Sequence, residues 1–264
     1  KHMKRLTDKE IQQIKHLVKQ KVSLNKIAKY MKLNKTTVYY HYFKFKGPTI
    51  RKVKISFSSE FEKGEVLGIF AGDGTIWRSK PKKDYHYYIT ICCGKNVQYA
   101  EYVKKLFSKV IGKEFYIDMD KTQHNVRISS KDLYLFLKSE LTFNEHKKGP
   151  TIKINNFNKR TISFLFGFFK GLIDTDGCIC KHHNSFRITY HSTSKRLILQ
   201  MNKMIKTLKF ESKIKSYWPK ISINPKGILI IPRYKANVLS IRNKDSLELI
   251  KILKPFKAIK YNLI

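Results

Sequence analysis

The sequence predicts an α+β fold in which one αββαββα unit occurs twice, behind a small all-α N-terminal domain. Three observations predict it. Two apolar segments that contain glycine end in Asp-Gly, at residues 65–74 and 164–177. Each is followed by segments with period-two alternation, which indicate strands, and by amphipathic helical segments. The pattern of residues 125–132 returns at residues 238–245, so we expect the order of elements to be duplicated.

Positive charge dominates the composition. The 264 residues include 55 Lys and Arg against 19 Asp and Glu, which gives a formal net charge of +36. Such an excess favours a polyanionic partner, with nucleic acid first and an anionic membrane surface second. No apolar run reaches the roughly 18 residues that span a bilayer, and we find no signal peptide. We therefore expect an intracellular protein, cytoplasmic in a prokaryote or in an organelle matrix, that is neither secreted nor held in a membrane.

Four segments are predicted along the chain. Residues 1–46 form a helix-turn-helix DNA-binding domain, and residues 47–58 form a basic linker. Residues 59–158 are the first repeat, and residues 159–264 are the second. The second copy is ten residues longer inside, and we expect the extra length in a hairpin bounded by prolines, near residues 219–232.

The N-terminal domain is predicted to read DNA. Ser23 and Asn34 are suited to cap its second and third helices. Residues 23–39 resemble the helix-turn-helix of resolvases, with Lys32 where that pattern usually has glycine. The third helix of such a motif enters the major groove. The alternative is a helical bundle whose lysines are only solvated. The side chains expected to contact DNA are Lys35, Thr36, Thr37 and Tyr40.

Each apolar segment is predicted to be a helix that delivers a carboxylate at its end. Asp73 and Asp176 lie at matched positions, 103 residues apart. A carboxylate there faces the negative end of the helix dipole and costs stability unless a cation offsets it. Gly68, Gly72 and Gly171 remove side chains from one helix face, so the two helices are expected to pack with their backbones close together. The two carboxylates then repel each other unless Mg²⁺ or a similar hard cation lies between them.

The second segment resembles a known family. Residues 169–177, Phe-Lys-Gly-Leu-Ile-Asp-Thr-Asp-Gly, are similar to the signature of LAGLIDADG homing endonucleases in their single-chain, two-repeat form. The first copy, residues 66–74, departs from the signature at Ala71, where an acidic residue that is not the metal ligand is frequent. The resemblance covers about 200 residues. It implies a monomer with two saddle-shaped antiparallel sheets that hold double-stranded DNA.

The resemblance implies a site-specific endonuclease that cuts both strands of a long, asymmetric DNA site and serves intron or intein homing. The implied cofactor is Mg²⁺, and Mn²⁺ or Ca²⁺ are expected to be able to occupy its site. Metal ions there activate water and stabilise the leaving oxygen in phosphodiester hydrolysis. The residues implied to hold the metal are Asp73, Asp176, Gly72 and Thr175. Lys147 and Lys260, which follow the last helix of each repeat at an offset of 113, are implied to stabilise negative charge that develops in the reaction.

Strand alternation divides each predicted sheet into two faces. Apolar residues such as Ile89 and Ile188 point inward, which leaves polar and aromatic side chains on a free face suited to a major groove. A register shift of one residue would exchange the two faces. The side chains expected to contact DNA are His86, Tyr88, Thr90, Arg127, Arg187, Thr189, His191, Lys213, Lys215 and Tyr217. Further expected contacts are Arg78, Lys80 and Lys181.

Three other functions fit parts of the sequence. Degenerate LAGLIDADG repeats joined to a helix-turn-helix also serve as non-catalytic, DNA-binding transcription regulators. Loss of a terminal acid would favour that function, and both acids are present. An RNA-splicing maturase built on the same fold remains open. A protein that only binds polyanions is the simplest alternative, and it leaves the paired motifs unexplained.

Overall fold

The chain folds into two compact units, residues 1–52 and residues 53–264. The computed structural model describes residues 6–46, 54–79, 86–120, 122–182, 185–223 and 229–263. Part of the predicted linker belongs to the second unit. The backbone N–H of Ser56 donates to the carbonyl of Val110 at 2.9 Å, and the rings of Phe57 and Phe136 lie 5.4 Å apart. The second unit therefore begins before residue 59, where the first repeat was predicted to start.

Three helices form the N-terminal unit, as the sequence predicted. They are α1 (Asp8–Lys19), α2 (Leu24–Tyr30) and α3 (Lys35–Lys46). Thr7 and Glu10 form a capping box at the start of α1, and the Ser23 side chain caps α2.

A small core joins these three helices. Ile14, Ile27 and Val38, one from each helix, are fully buried. Lys32, in the turn between α2 and α3, has a φ of 52°. That left-handed conformation is one in which the glycine of the resolvase pattern fits well, because glycine adopts it without steric cost. The turn of the motif is therefore formed here with a lysine.

The second unit contains the same order of helices and strands twice, and each copy is called a pass below. The first pass comprises α4 (Glu60–Asp73), β1 (Gly74–Ser79), β2 (His86–Cys92), α5 (Val97–Ile111), β3 (Tyr116–Asp120), β4 (Gln123–Ser129) and α6 (Lys131–Glu140). A connection follows, with β5 (Leu141–Thr142), a 3-10 turn (Glu145–Lys147), α7 (Lys148–Thr151), β6 (Lys153–Ile154) and a second 3-10 turn (Phe157–Lys159). The second pass comprises α8 (Ile162–Asp174), β7 (Gly177–His182), β8 (Ser185–Ser192), α9 (Lys195–Thr207), β9 (Ser212–Tyr217), β10 (Ser222–Ile223), β11 (Leu229–Ile230), β12 (Ala236–Arg242), α10 (Asn243–Leu253) and a 3-10 helix (Phe256–Tyr261).

Each pass builds a four-stranded antiparallel sheet with the same strand order. The first sheet is β1-β2-β4-β3, and the second is β7-β8-β12-β9. The pairing agrees as well, since Thr75 lies opposite Thr90 and Cys178 lies opposite Thr189. The short strands β10 and β11 pair in the inserted hairpin, where the extra length was predicted. The predicted fold class is confirmed.

One apolar core runs through the second unit, with α4 and α8 at its centre. Ile89 of the first sheet and Ile188 of the second belong to the same cluster as the apolar residues of both helices. One face of each sheet therefore packs on helices, and the other face stays open. None of the helices in the described ranges is both long and apolar enough to cross a membrane.

Candidate active site and nucleic-acid interface

The helices α4 and α8 pack with their backbones in contact. A Cβ atom at Gly68 would lie 2.1 Å from the carbonyl oxygen of Phe168, and one at Gly171 would lie 2.5 Å from the backbone nitrogen of Ile69. Such distances admit only glycine, because backbone atoms cannot move aside as side chains do. Four glycines lie at this interface: Gly64, Gly68, Gly167 and Gly171. The sequence predicted Gly68 and Gly171 to pack there, whereas Gly64 and Gly167 were not predicted.

This packing brings Asp73 and Asp176 to one place, at the carboxyl ends of the two helices. Gly72 lies against the other helix end, since a Cβ atom there would lie 2.0 Å from Thr175 Oγ1. Because Asp73 follows Gly72 and Asp176 follows Thr175, the two carboxylates lie near each other. Burial first, and then the charge of Asp176, raises the pKa of Asp73. A cavity of about 270 Å³ opens beside them, and Gly72, Lys148, Asp176 and His191 are among the residues that line it.

The lysines at this site are Lys148 and Lys257, which corrects the choice of Lys147 and Lys260. Lys148 Nζ donates to three carbonyl oxygens in the last turn of α4 at 2.7–2.9 Å. Lys257 Nζ donates to two carbonyl oxygens that follow α8, at 2.5 and 2.6 Å. Lys147 and Lys260 are exposed to solvent. Lys148 begins the single-turn helix α7, whereas Lys257 lies in a 3-10 helix. The two repeats carry these lysines on different local structures, so matching the repeats by their offset does not identify the residue that points inward.

The two ammonium groups offset the negative charge at the helix ends. Burial lowers the pKa of Lys148 to about 8, against the opposing attraction of Asp176 and Asp73. Burial also lowers the pKa of Lys257, and the nearby aspartates again oppose it. Desolvation raises the pKa of Asp176, while Lys148 and Lys257 act in the opposite direction. Asp73, Lys148 and Lys257 are half-buried, and Asp176 is exposed. Partly desolvated charges of both signs in one small space are typical of a functional site.

The oxygen atoms at this place suit a hard divalent cation. Asp73 and Asp176 supply carboxylates, and Gly72 and Thr175 supply carbonyl oxygens beside them. Each carbonyl accepts one lysine hydrogen bond, at 2.7 and 2.5 Å respectively, and keeps a second lone pair. The described ranges contain no group of three or more His, Cys, Asp or Glu able to hold a metal. A cation here would therefore need water or phosphate oxygens as well, which Mg²⁺ commonly takes.

Asp73→Asn is expected to stabilise the metal-free protein at alkaline pH. Burial, together with the charge of Asp176, raises the pKa of Asp73 from 3.8 to about 6. The folded chain thus holds this proton more tightly than the unfolded chain, and the carboxylate destabilises the fold as the pH rises through that range. We expect the free energy of unfolding to increase by about 2 kcal/mol at pH 8. Urea titrations with a chelator, at pH 8 and again below pH 4, measure it, and a gain that does not depend on pH would contradict the assignment.

The open face of the first sheet carries aromatic and polar side chains. Trp77 and Tyr88 lie opposite each other on β1 and β2, and their rings stack 5.2 Å apart. Trp77, which the sequence analysis did not select, is 63% exposed. Thr90 lies opposite Arg127, and Arg127 forms an ion pair with Asp118 on the neighbouring strand. The predicted contacts on this face are His86, Tyr88, Thr90 and Arg127, and their binding to DNA stays a prediction.

The open face of the second sheet is more basic. Ser240 of β12 lies between Thr189 of β8 and Lys213 of β9, while Ile188 and Leu239 are buried on the opposite face. Strand alternation places six predicted contacts on the open face, and their binding to DNA also stays a prediction. They are Arg187, Thr189, His191, Lys213, Lys215 and Tyr217.

Two other expected contacts do not belong to the open faces. Arg78 and Lys181 each lie two residues after an apolar residue of the core face, Ile76 and Ile179, so alternation puts them on the helix side of their strands. Arg78 Nε forms an ion pair with Glu145 at 2.8 Å. Their contact with DNA stays a prediction, and the structure places them away from the open faces. Lys80 lies outside the described residues.

In the N-terminal unit, α3 presents the residues that the sequence predicted to reach DNA. Lys35, Thr36 and Tyr40 are exposed, and Thr37 is half-buried. Tyr39, which was not selected, is also exposed. The exposed side of α3 is therefore polar and aromatic, with a buried opposite side.

A buried polar cluster that the sequence analysis missed lies between α4, α5 and α8. Lys170 Nζ donates to Glu65, to the Tyr102 hydroxyl at 3.0 Å and to Asp174 Oδ2 at 3.2 Å. The Tyr102 hydroxyl donates to Glu65 as well. The side chains of Lys170 and Glu65 are 8% and 6% exposed. Because Glu65 and Lys170 are 105 residues apart, no local pattern could have paired them.

Comparisons with known proteins agree with this architecture. Residues 163–249 match the LAGLIDADG-like domain, and residues 2–41 match the helix-turn-helix domain. No curated protein sequence matches the chain.

Among solved structures, the chain is similar to the homing endonuclease I-DmoI. A complex of I-DmoI with DNA and Ca has a TM-score of 0.57 and 17% identity, covering 77% of this chain and 97% of that one. A complex of I-DmoI with DNA and Mn has a TM-score of 0.50 and 18% identity, covering 72% and 94%. Full-length DUF199/WhiA from Thermatoga maritima has a TM-score of 0.46 and 14% identity, covering 78% and 60%. The second unit has the fold of LAGLIDADG homing endonuclease structures.

Proposed function

We propose that the chain is a site-specific DNA endonuclease that depends on a divalent metal and cuts both strands of a long, asymmetric site. The observation that carries the proposal is the pair Asp73 and Asp176, at the joined ends of two helices, with Lys148 and Lys257 beside them. Burial raises the pKa of both aspartates. The two lysines offset the cost of these carboxylates only in part, since the pKa of each stays raised, and a purely structural role does not explain such a pair.

Each residue of this site has a part in hydrolysis. Asp73 and Asp176, with the carbonyl oxygens of Gly72 and Thr175, would hold Mg²⁺, and Mn²⁺ or Ca²⁺ fit the same oxygen ligands. Bound there, a divalent cation supplies Lewis acidity and a more acidic water. The ammonium groups of Lys148 and Lys257 stabilise negative charge that develops on the phosphate. I-DmoI, which shares the fold, has been crystallised with DNA and with Ca and Mn.

The DNA-binding surfaces account for specificity in this proposal. The open face of the first sheet carries stacked aromatic side chains, whereas that of the second carries lysine and arginine. Two different faces read two different half-sites, so the target should lack two-fold symmetry. The N-terminal unit adds a second element that reads DNA. Because both motif copies belong to one chain, we propose that a monomer suffices.

Cleavage of a randomised duplex library tests the proposal. The full chain should cut a defined sequence in Mg²⁺ or Mn²⁺ and should cut nothing in EDTA. Sequencing of the cut ends identifies the site and the cut position on each strand. Random degradation, or cutting that survives EDTA, would contradict the proposal. Specific binding without cutting in either metal would favour the transcription regulator instead.

A further inference from the structure

The buried polar cluster extends to the segment that carries Lys257. Asp174 uses both of its carboxylate oxygens. Oδ2 accepts from Lys170 at 3.2 Å, and Oδ1 accepts the backbone N–H of Lys257 at 3.2 Å. The Lys257 side chain then turns back to the carbonyl oxygens of Thr175 and Gly177. Asp174 thus holds the backbone from which the Lys257 ammonium reaches the end of α8.

The first repeat supports this segment from its other side. Phe256, the residue before Lys257, packs on Tyr99 and Tyr102 of α5 with ring centroids 5.2 and 5.8 Å apart. Tyr102 also hydrogen-bonds Lys170 and Glu65. The cluster therefore contacts the Lys257 segment at two points: Asp174 of α8 accepts the Lys257 N–H, and Tyr102 of α5 packs on Phe256.

The segment of Lys148 is held in a different way, by the Thr151 hydroxyl, which donates to the carbonyl groups of Lys147 and Lys148. At the positions of α4 that match Lys170 and Asp174, offset by 103 residues, stand Leu67 and Ala71. Neither side chain has a polar atom, so neither can hold the segment of Lys148 by a hydrogen bond. Lys148 donates to three backbone carbonyl groups of α4 and lies over the Phe70 ring, 5.3 Å from its centroid. The two lysines are therefore placed by different means.

We propose that Glu65, Lys170 and Asp174 are positioning residues for Lys257 and that they serve only one of the two cleavage centres. This inference rests on the proposed endonuclease function. Without Asp174 the Lys257 amide loses its buried acceptor, and its backbone shifts to find another one. A displacement of about 1 Å at a reacting centre lowers the rate by about a hundredfold. Cleavage of one DNA strand depends on the cluster, and cleavage of the other does not.

The variant Asp174→Ala tests the inference, because it gives α8 the residue that α4 has at the matching position, Ala71. The substrate is a target duplex selected from the library, with each strand labelled separately. We expect one strand to be cut at least about tenfold more slowly and the other within about twofold of the parent rate. Nicked duplex should accumulate. Lys257→Ala should slow the same strand, and the double variant should be no slower than the slower single variant, because both changes remove one interaction.

Two controls separate positioning from general loss of stability. Thr161→Ala removes the side-chain cap of α8 without touching the cluster, and it should not favour either strand. Glu65→Gln keeps the shape of the cluster and removes one charge, so it should give a smaller bias toward the same strand even if Asp174→Ala folds poorly. Equal slowing of both strands, or losses that multiply in the double variant, would overturn the inference and leave the endonuclease proposal intact.

A second measurement needs no cleavage. Reductive methylation followed by peptide mass spectrometry reports how accessible each lysine is. In Asp174→Ala we expect Lys257 to be methylated at least about fivefold faster than in the parent, with Lys148 unchanged. Unchanged labelling of Lys257 would overturn the inference. If the parent chain cuts no DNA, the endonuclease proposal fails, and the labelling still decides whether Asp174 positions Lys257.

Discussion

Asp176→Asn should abolish double-strand cleavage and leave at most a nick. The asparagine keeps the size of the side chain but removes the negative charge that, in the proposed site, would hold a divalent cation beside Asp73. The loss of one carboxylate should lower the rate of cleavage by roughly a thousandfold, about 4 kcal/mol of transition-state stabilisation. DNA affinity should stay within about threefold of the parent value, because the open sheet faces are unchanged. Single-turnover cleavage of the selected duplex and a filter-binding titration in Ca²⁺ measure the two quantities.

The matched control for this variant is Asp8→Asn. Asp8 is an exposed residue in the first turn of α1, so the substitution changes the net charge of the chain by the same amount far from the motif helices along the sequence. It should cut both strands at the parent rate. If Asp176→Asn cuts as fast as this control, the carboxylate is not part of the chemistry, and the proposed site is wrong.

Gly68→Val should destabilise the second unit by about 4 kcal/mol or more, at the upper end of what single substitutions do. Even a Cβ atom at Gly68 would lie 2.1 Å from the Phe168 carbonyl oxygen. The helices α4 and α8 would have to move apart, and the apolar core around them would lose its packing. The expected result is a lower urea midpoint for the full chain, together with loss of metal-dependent cleavage.

A second glycine provides the comparison for this variant. Gly112 has a φ of 61°, and no atom lies within 4 Å of a Cβ built there. Gly112→Ala should therefore cost only about 1 kcal/mol, from the backbone conformation alone. If Gly68→Val falls within about 1 kcal/mol of this control, then α4 and α8 do not pack as closely as the structure shows.

Local patterns were enough to predict the elements and the fold class. Capping residues such as Thr7 and Ser23 act within one helical turn, and strand alternation acts between adjacent residues. The same rule also separates the two sheet faces. Applied consistently, it would have kept Arg78 and Lys181 off the open faces, because each follows a core residue by two positions.

Local rules such as helix capping and strand alternation could not identify the lysines of the site. Lys148 lies in a four-residue helix and Lys257 in a six-residue 3-10 helix, and both are too short for a periodic pattern to show which side chain points inward. One signal was present for Lys257, which lies between Phe256 and the buried Ala258; an apolar context of this kind favours a buried lysine. Lys148 has no comparable marker, and only its contacts with the end of α4 distinguish it from Lys147.

By itself, the sequence determined two apolar helices that end in Asp73 and Asp176, because helix periodicity, glycine and the terminal carboxylate are local properties of the chain. Only the tertiary structure decided which groups surround those carboxylates. Glu65 and Lys170 meet across 105 residues, and Lys257 reaches the end of α8 from the far end of the second repeat. Contacts at such separations depend on how α4 and α8 pack, and that packing is a property of the whole fold.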